Sequence, residues 1–566
     1  MINRQDMTKR TAAIAVALVT IMTSAFTATT SKAQSKSFSL GQWTEIQNAI
    51  IKELNNSYVD SLQVGRIYRA GIDAMLGSID PYTIFIPEEE NEDLQMMVSK
   101  TYGGVGAIIH KKKGENVVIN EPYYNSPATK AGLVCGDEIM EIDGMPVKDL
   151  ETAQCSERMK GKPGTEVHFK VKKLRTGDTT MVTIVRERIH LPDVEYSGMV
   201  NDTTGYILQS SFTENVSAGI REAYFKLKGQ GMKRLVLDLR GNGGGLLGEA
   251  VNIVSLFVPK GSTVVTSRGN TPDAVFELKT RTEPVDLDIP LMVLVDGGSA
   301  SASEIVSGAF QDLDRAVIVG TKTYGKGLVQ SIRPLPYNGQ IKVTTAKYYT
   351  PSGRCVQAID YSSRNATGDA EHIPDSLVGE FKTKAGRIVK DAGGVTPDIE
   401  IPFKKYSRLV YSLVLSGVVD TYSMEFVREH DAIASLDDFK VDDKIFNDFV
   451  EFAKTQEFDY RSGAKTLFDQ MKKELEEDGI VETMSDELKA LEKALEMDKE
   501  KFIRLKRNEI IPFIEEEIAT RYYFQEAGVQ IRLRYDDQLH KALAIPVSEL
   551  KAALAAPVVG EYSQGQ

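Results

Sequence analysis

Three serines lie within one short run, Ser299-Ala300-Ser301-Ala302-Ser303-Glu304, placed between an apolar stretch and an apolar-periodic one. The stretch before it, Pro290-Leu291-Met292-Val293-Leu294-Val295, is bounded by Pro and Gly and reads as a buried strand. After it, Ile305, Ala309, Phe310 and Leu313 recur at the spacing of one helix face. A strand that delivers hydroxyls to a helix start sets them beside unpaired N–H groups, which suits a nucleophile next to an oxyanion site. Ser301 and Glu304 also fit a capping box, in which both side chains satisfy free helix N–H groups. The segment alone therefore leaves cap and nucleophile open. About 25 residues on, Thr323-Tyr324-Gly325-Lys326-Gly327-Leu328-Val329-Gln330 holds a lysine between two glycines.

Two nucleotide motifs nearby fail on their context. Gly320 to Lys326 match the first seven positions of a phosphate-binding loop, but Gly327 stands where a Ser or Thr would hold magnesium, and strand follows instead of helix. Gly243, Gly245 and Gly248 satisfy G-x-G-x-x-G after the strand-like Leu235-Val236-Leu237-Asp238-Leu239, yet deep inside the chain rather than at a domain start. A Gly-Asn-Ser-Gly-Gly nucleophile of trypsin type is absent too, since Gly243 occupies the serine position. Backbone N–H groups that cradle developing negative charge are the best use of this loop. None of the six histidines falls in the glycine, serine or lysine segments. Lys326 is the more economical base.

The elements that must position these groups fill a chain of 566 residues, enough for three or four domains, with 42% hydrophobic residues. A net charge of −12 without a basic cluster argues against a nucleic-acid partner. Cys135, Cys155 and Cys355 have no metal-ligand neighbours, so no metal is expected; Cys135 and Cys155 could pair in an oxidising compartment. Arg4, Lys9 and Arg10 precede an apolar run from Ala12 to Met22, and Ser31-Lys32-Ala33 offers a cleavage site, so residues 1–33 read as a secretion signal. An exported, soluble, acidic protein follows.

Residues 40–98 read as helical, with Trp43, Ile46, Ile50 and Leu54 on one face, Val64, Ile67, Tyr68, Gly71 and Met75 on a second, and a stop at Ser78-Ile79-Asp80-Pro81. Glu88-Glu89-Glu90 reads as a solvated helix start rather than an acidic binding face. From Tyr102 to Arg186 short strands take over: Ala107-Ile108-Ile109, Val117-Val118-Ile119, a capped helix at Ser126–Gly132, a strand closed by Asp143-Gly144, and the alternating Val167, Phe169 and Val171. This order resembles a PDZ domain. In such domains a glycine-rich loop, here Gly103, Gly104, Val105 and Gly106, points N–H groups at a peptide's terminal carboxylate while the peptide adds a strand.

Together with Asp238-Leu239-Arg240, Gly244-Gly245, the serine run, Tyr324-Gly325-Lys326-Gly327…Gln330, Pro351-Ser352-Gly353-Arg354 and Gly393-Gly394-Val395-Thr396-Pro397-Asp398, the chain resembles the carboxyl-terminal processing, or tail-specific, proteases over roughly residues 40–402. The resemblance implies an α+β multidomain fold, with a ClpP/crotonase-like α/β protease core, an inserted PDZ domain and a helical C-terminal domain. It implies Ser301 as nucleophile, Lys326 as general base, Gln330 orienting the lysine, and an oxyanion hole from the N–H groups of Ala302 and Gly244. No cofactor is implied. Substrates would be proteins or peptides with free C-termini, met in the periplasm of a bacterial envelope, with an adaptor or a second copy as further partners. Gly241-Asn242-Gly243 departs from the Asn-Asn-Pro common in relatives.

The expected organisation is a signal peptide (1–33), an N-terminal helical segment (34–99), a PDZ domain (100–188), a serine-lysine protease core (189–402) and a helical C-terminal domain (403–566). In the last, Leu488, Leu491, Leu495, Phe502 and Leu505 read as one face, continued by Ile511, Ile514 and Ile518. A dimerisation module, an adaptor-docking surface and a cover packed on the core all fit that pattern. The competing class is a non-catalytic PDZ scaffold, for which Ser301 would be a cap and Lys326 a surface charge.

Overall fold

The computed structural model describes residues 38–555 apart from 113, 366, 459–462 and 496–498. The secretion-signal reading of residues 1–33 lies outside the described residues. Two compact bodies divide the chain, one ending at Phe85 and one beginning at Ile86. In the first, helix α1 (38–57) leaves Trp43 and Ile50 exposed. Helix α2 (Val64–Gly77) buries Leu76 and leaves Met75 in solvent, one residue round from the face read off the spacing. The helix stops where the sequence indicated: the Asp80 carboxylate accepts the N–H groups of Tyr82 and Thr83 at 2.8 and 2.7 Å.

The second body opens with a turn at Glu88–Glu90 that starts helix α3 (Asn91–Ser99), as expected for three carboxylates near a positive helix end. Strand β1 (Thr101–Gly104) follows. A six-stranded antiparallel sheet is then built from β2 (Ala107–Lys111), β3 (Val117–Pro122), β4 (Glu138–Ile142), the short β5 (Met145–Pro146), β6 (Glu166–Lys172) and β7 (Thr179–Val185). Strand β8 (Glu187–His190) pairs back onto β1, so the module's entry and exit lie side by side. Helices α4 (Pro127–Lys130) and α5 (Thr152–Met159) cover it, and Ser126 Oγ caps α4 by accepting the Thr129 N–H at 3.3 Å. Val167, Phe169 and Val171 are fully buried, which is why they alternate. Cys135 and Cys155 are both buried here and both free.

The core sheet runs in the order β9 (Val194–Asn201), β10 (Thr204–Gln209), β11 (Arg234–Asp238), then Leu291–Val295, Val317–Gly320 and Ile399–Glu400; its first pair is antiparallel and the rest are parallel. Helices α6 (Val216–Gly229) and α7 (Leu247–Ser255) follow β10 and β11. We label the later strands β12 (Thr263–Gly269), β13 (Leu291–Val295), β14 (Val317–Gly320), β15 (Leu328–Pro334), β16 (Gln340–Tyr349) and β17 (Ile399–Glu400), and the helix after β13 α8 (Ala302–Asp312). Strands β12 and β15 flank β16 in a second sheet.

Alternation along the core strands explains their unbroken apolar sequences. Leu235, Leu237, Val293 and Ile318 pack with Ile220, Val254 and Phe310 of α6, α7 and α8. Val236, Met292, Leu294 and Val319 point the other way, onto Val529, Leu533, Leu539 and Ala542 of the C-terminal helices. A sheet buried on both faces needs hydrophobic residues at every position.

Those C-terminal residues come from α11 (Arg507–Arg534) and α12 (Asp537–Ala544), reached through α9 (Arg408–Leu415) and α10 (Val418–Glu429). Leu409, Tyr422, Phe449, Ile514 and Ile518 form a core of their own. The tail is thus a cover on the core sheet. The single face read through Leu488 to Leu505 is a correction: within Ser485–Leu495 Leu488 is buried and Leu491 exposed, and within Lys499–Leu505 Leu505 is exposed, so these residues do not share one buried face.

The same α11 also holds the PDZ module. At Phe524, φ 65° and ψ −177° break the helix, and the Phe524 ring lies edge-on to Tyr124 at 5.5 Å. Beside it buried Arg521 pairs with Asp420 and donates to Asn120 Oδ1 at 3.2 Å, and Gln525 donates to Glu121 at 3.1 Å. Among the described residues no helix is long and apolar enough to cross a membrane.

Leu539 is 1% exposed between tail and sheet. Leu539→Ala should therefore cost about 2–5 kcal/mol, read as a lower urea midpoint with earlier proteolytic nicking of both the tail and the core. An unchanged midpoint would mean the tail does not cover the sheet in solution.

Candidate active site

Strand β13 ends at Val295, and the turn after it is pinned through Asp296. The Asp296 carboxylate accepts the N–H groups of Gly241 and Gly298 at 2.8 and 2.9 Å, joining the serine turn to the glycine loop that follows β11. Two of the three serines are committed to that junction. Ser299 Oγ donates to the Leu239 carbonyl at 2.7 Å, Ser303 Oγ donates to the Asn242 carbonyl at 2.8 Å, and both residues are fully buried. Ser301 is the half-buried one, and its backbone stands at φ 56°, ψ −111°. Non-glycine residues avoid that region, and such strain persists only where the surroundings over-determine it.

The over-determining group is Glu304. Its carboxylate is fully buried and accepts four hydrogen bonds: Oε2 from the N–H groups of Ser301 and Lys326 at 2.9 and 2.8 Å, and Oε1 from the Gly325 N–H and the Thr323 hydroxyl at 2.7 and 2.6 Å. Thr323 Oγ1 in turn accepts the Val395 N–H at 2.6 Å, which fixes its own proton toward Glu304. Ser301 and Lys326 therefore share one oxygen atom through their backbones, so their nitrogens lie no further apart than those two bonds allow. Burial pushes the Glu304 pKa up, and the four donors oppose that push. Four donors leave no natural place for an acid proton, so the geometry fits the carboxylate. The sequence displayed Glu304 only as half of a capping box; its reach across to the lysine loop had no local signal.

The flanking glycines make that loop fit. A Cβ on Gly325 would come within 2.5 Å of Ala358 Cβ, and one on Gly327 within 2.7 Å of the Gln357 nitrogen. Lys326 itself is half-buried, ahead of β15. Gln330, within β15 and paired with Thr344 on β16, donates from Nε2 to Thr344 Oγ1 at 3.3 Å.

Gly244 packs directly on the serine turn, where an added Cβ would meet Ala300 O at 2.7 Å, Ser301 Cβ at 2.8 Å and Ala302 N at 2.9 Å. Its φ of 100° also demands glycine. A loop so closely capped has no room for a dinucleotide phosphate. Its N–H is occupied, donating to Asn242 Oδ1 at 2.9 Å, while Asn242 Nδ2 donates to the Gln209 carbonyl at 2.9 Å. Ahead of the loop, Arg240 donates to Asp536 Oδ2 at 2.6 Å and Gln538 Oε1 at 2.9 Å, so the tail anchors the loop's start. Ala302 is the first residue of α8.

At the far end of α8, buried Arg354 pairs with Asp312 at 2.9 Å, and Gln311 Nε2 donates to Asp398 Oδ1 at 2.9 Å. The segments around Pro351 and Gly393 thus brace the helix that carries Ser301.

The PDZ glycines divide. Val105 and Gly106 line a groove of about 200 Å³ with Tyr102, Ile109, Met159 and Lys160. Gly103 and Gly104 lie within β1 and are packed away: a Cβ on Gly103 would fall 2.2 Å from the Gly161 carbonyl oxygen, and one on Gly104 2.8 Å from the Tyr102 ring.

Glu304→Gln places an amide NH2 against donors that point at it. We expect a loss of about 2–4 kcal/mol, from one or two buried donors left unpaired, seen as a lower thermal midpoint, together with protease cleavage of the 320–328 loop. A variant as stable as the parent would show that the four bonds do not hold the two segments together.

Three family models match the chain: PDZ domain at residues 94–185, peptidase family S41 at 203–362, and "Probable PDZ-protease, C-terminal helical domain" at 409–545. A carboxy-terminal-processing protease of Bartonella bacilliformis is 34% identical over 55% of this chain and 71% of its own length. A "Probable CtpA-like serine protease" of Staphylococcus aureus is 34% identical over 55% of this chain and 62% of its own. A solved photosystem II D1 C-terminal processing protease is 26% identical, covers 62% of this chain and 85% of that one, and has a TM-score of 0.33. With an S41 segment that contains the serine turn and the lysine loop, and a PDZ domain ahead of it, the chain belongs to the carboxy-terminal-processing proteases, serine peptidases of family S41.

Proposed function

We propose that this chain is an exported serine endopeptidase that captures substrates by their free C-termini and cuts them nearby through a Ser301/Lys326 pair. The observation that carries the assignment is the shared Glu304 oxygen, which joins the backbones of these two residues and no other serine–lysine pair of the core motifs.

In this reading Lys326 takes the Ser301 proton as Oγ attacks the scissile carbonyl, and later gives it to the leaving amine. A free lysine has a pKa of about 10.4 and must fall by roughly three units to act as base near neutrality. Substrate lying over a half-buried Lys326 supplies the missing desolvation. Gln330 orients the lysine. The oxyanion is met by the Ala302 N–H, at the positive end of α8, and by the Gly244 N–H, which becomes available by exchanging its bond to Asn242. Water then hydrolyses the acyl-enzyme.

Substrate delivery falls to the groove at Val105 and Gly106, whose apolar lining of Ile109 and Met159 suits an apolar C-terminal side chain; Lys160 also lines it, its ammonium paired with Glu157 at 3.0 Å. Because the PDZ module is fixed to α11, the captured tail reaches Ser301 from a set direction. An empty PDZ module obstructs or misaligns the site.

The test is the chain without residues 1–33, incubated with a loosely folded protein bearing an apolar C-terminus and followed by mass spectrometry. Cleavage should cluster near that end and fall at least 1,000-fold in Ser301→Ala and Lys326→Ala, with circular dichroism unchanged. Normal cutting by Lys326→Ala would end the mechanism. Deleting residues 100–188 should abolish the preference for the C-terminal end and change turnover of a short internal peptide; the same turnover would dispose of the gating role.

A further inference from the structure

We propose that Tyr348 is a positioning residue for this reaction: its hydroxyl aims the Ala302 N–H at the developing oxyanion while its backbone holds the Lys326 loop. The inference rests on the assignment of Ser301 and Lys326 as nucleophile and base.

Tyr348 lies on β16, 1% exposed, within the main core. Its hydroxyl donates to the Ser301 carbonyl at 3.1 Å. Its backbone N–H donates to the Gly327 carbonyl at 2.9 Å, one residue beyond Lys326. One residue of a central strand therefore touches both catalytic segments. The strand is itself fixed on both edges, with Ser267 of β12 opposite Tyr348 and Leu328 of β15 opposite Lys347.

The Ser301 carbonyl does not need that hydroxyl for its own sake. It already accepts the N–H groups of Glu304 and Ile305, each at 2.9 Å, which occupy both lone pairs of the oxygen. A phenylalanine would fill the same space and leave that carbonyl with its two helix N–H donors. The third donor instead acts on direction. The peptide unit between Ser301 and Ala302 is planar and trans, so its C=O and N–H point opposite ways. Pinning the carbonyl from β16 fixes where the Ala302 N–H points. Glu304 holds the peptide on the other side of Ser301 through the Ser301 N–H. The strained residue is thereby clamped at both of its peptide planes, by two groups that also hold the lysine loop.

The experiment is Tyr348→Phe in the full chain, which removes one oxygen atom and leaves the ring. We expect kcat to fall about 10- to 100-fold, less than the roughly 100- to 1,000-fold cost of losing an oxyanion donor outright, with KM within threefold and the thermal midpoint within a few degrees. Rates are normalised to the folded fraction by circular dichroism. A peptide aldehyde, which forms a tetrahedral oxyanion on a serine, should lose affinity in proportion to kcat, while a C-terminal peptide binds the PDZ groove as before. The kcat against pH curve should keep its shape, since the lysine proton is not involved. A kcat within twofold of the parent, or an aldehyde affinity unchanged while kcat falls, overturns the proposal. Ser301→Ala run alongside separates the two levels: turnover by that variant defeats the serine assignment itself, whereas a silent Ser301→Ala beside a fully active Tyr348→Phe defeats only the role of Tyr348.

Discussion

The buried carboxylate of Glu304 is the constraint on which the site depends. Removing a carboxylate from water costs several kcal/mol, and each hydrogen bond to a charged group returns about 1.5–3 kcal/mol. Four such bonds offset the cost with some surplus; two would not. The arrangement is consequently close to all-or-none. Either the serine turn, Thr323 and the lysine loop all reach Glu304, or the carboxylate is better off protonated or in water and the loops part. That property turns two segments 25 residues apart into one unit. It also explains why strain can persist at Ser301, because relaxing φ would cost a bond to the buried charge.

Around that anchor the fold works by closing every direction in which the serine turn could move. Gly244 presses on it from the glycine loop, Asp296 ties the two loops together, and Arg354 and Gln311 brace the far end of α8. The tail completes the enclosure: its helices cover the second face of the core sheet, and Asp536 holds Arg240 at the root of the glycine loop. A parallel sheet exposed on one face would be unstable with so many apolar residues. The C-terminal helices are therefore part of the protease core's stability, whatever else binds to their outer surface.

Much of this was legible in the sequence, for reasons that differ by element. The buried strands announced themselves because burial on both faces forces apolar runs, as in Leu235-Val236-Leu237 and Leu291–Val295. The PDZ order was visible through period-two alternation at Val167, Phe169 and Val171. Helix faces failed where tertiary contacts chose a neighbouring residue, as with Leu76 over Met75, or buried only one member of the pattern, as with Leu488 over Leu491. At the site, Ser301 and Lys326 stood out by motif, and the glycines around them by the closeness they permit. The sequence displays Glu304 only through a capping box, which is a local pattern, whereas a carboxylate that caps one helix can also collect donors from a distant loop. The engagement of the Gly244 N–H by Asn242 is a matter of loop geometry for which no residue pattern stands proxy.

The PDZ attachment is built from a different kind of contact than so rigid a centre. The junction at α11 is made of an aromatic edge contact, a glutamine–carboxylate bond and Arg521, one cation among Asp420, Glu517 and Glu121. Burial pushes the Glu121 and Glu517 pKa values up, with Arg521 opposing both shifts. Ionised, such a cluster is acid-rich around a single buried guanidinium, and its net attraction is small compared with that of an apolar interface. It meets the helix at Phe524, where the backbone is already out of helical geometry. A junction of this kind fixes direction through a few polar and aromatic contacts, whereas the Glu304 carboxylate is fully buried and fully paired. Charge-dense polar contacts thus lie at the PDZ module and over-determined ones at Ser301.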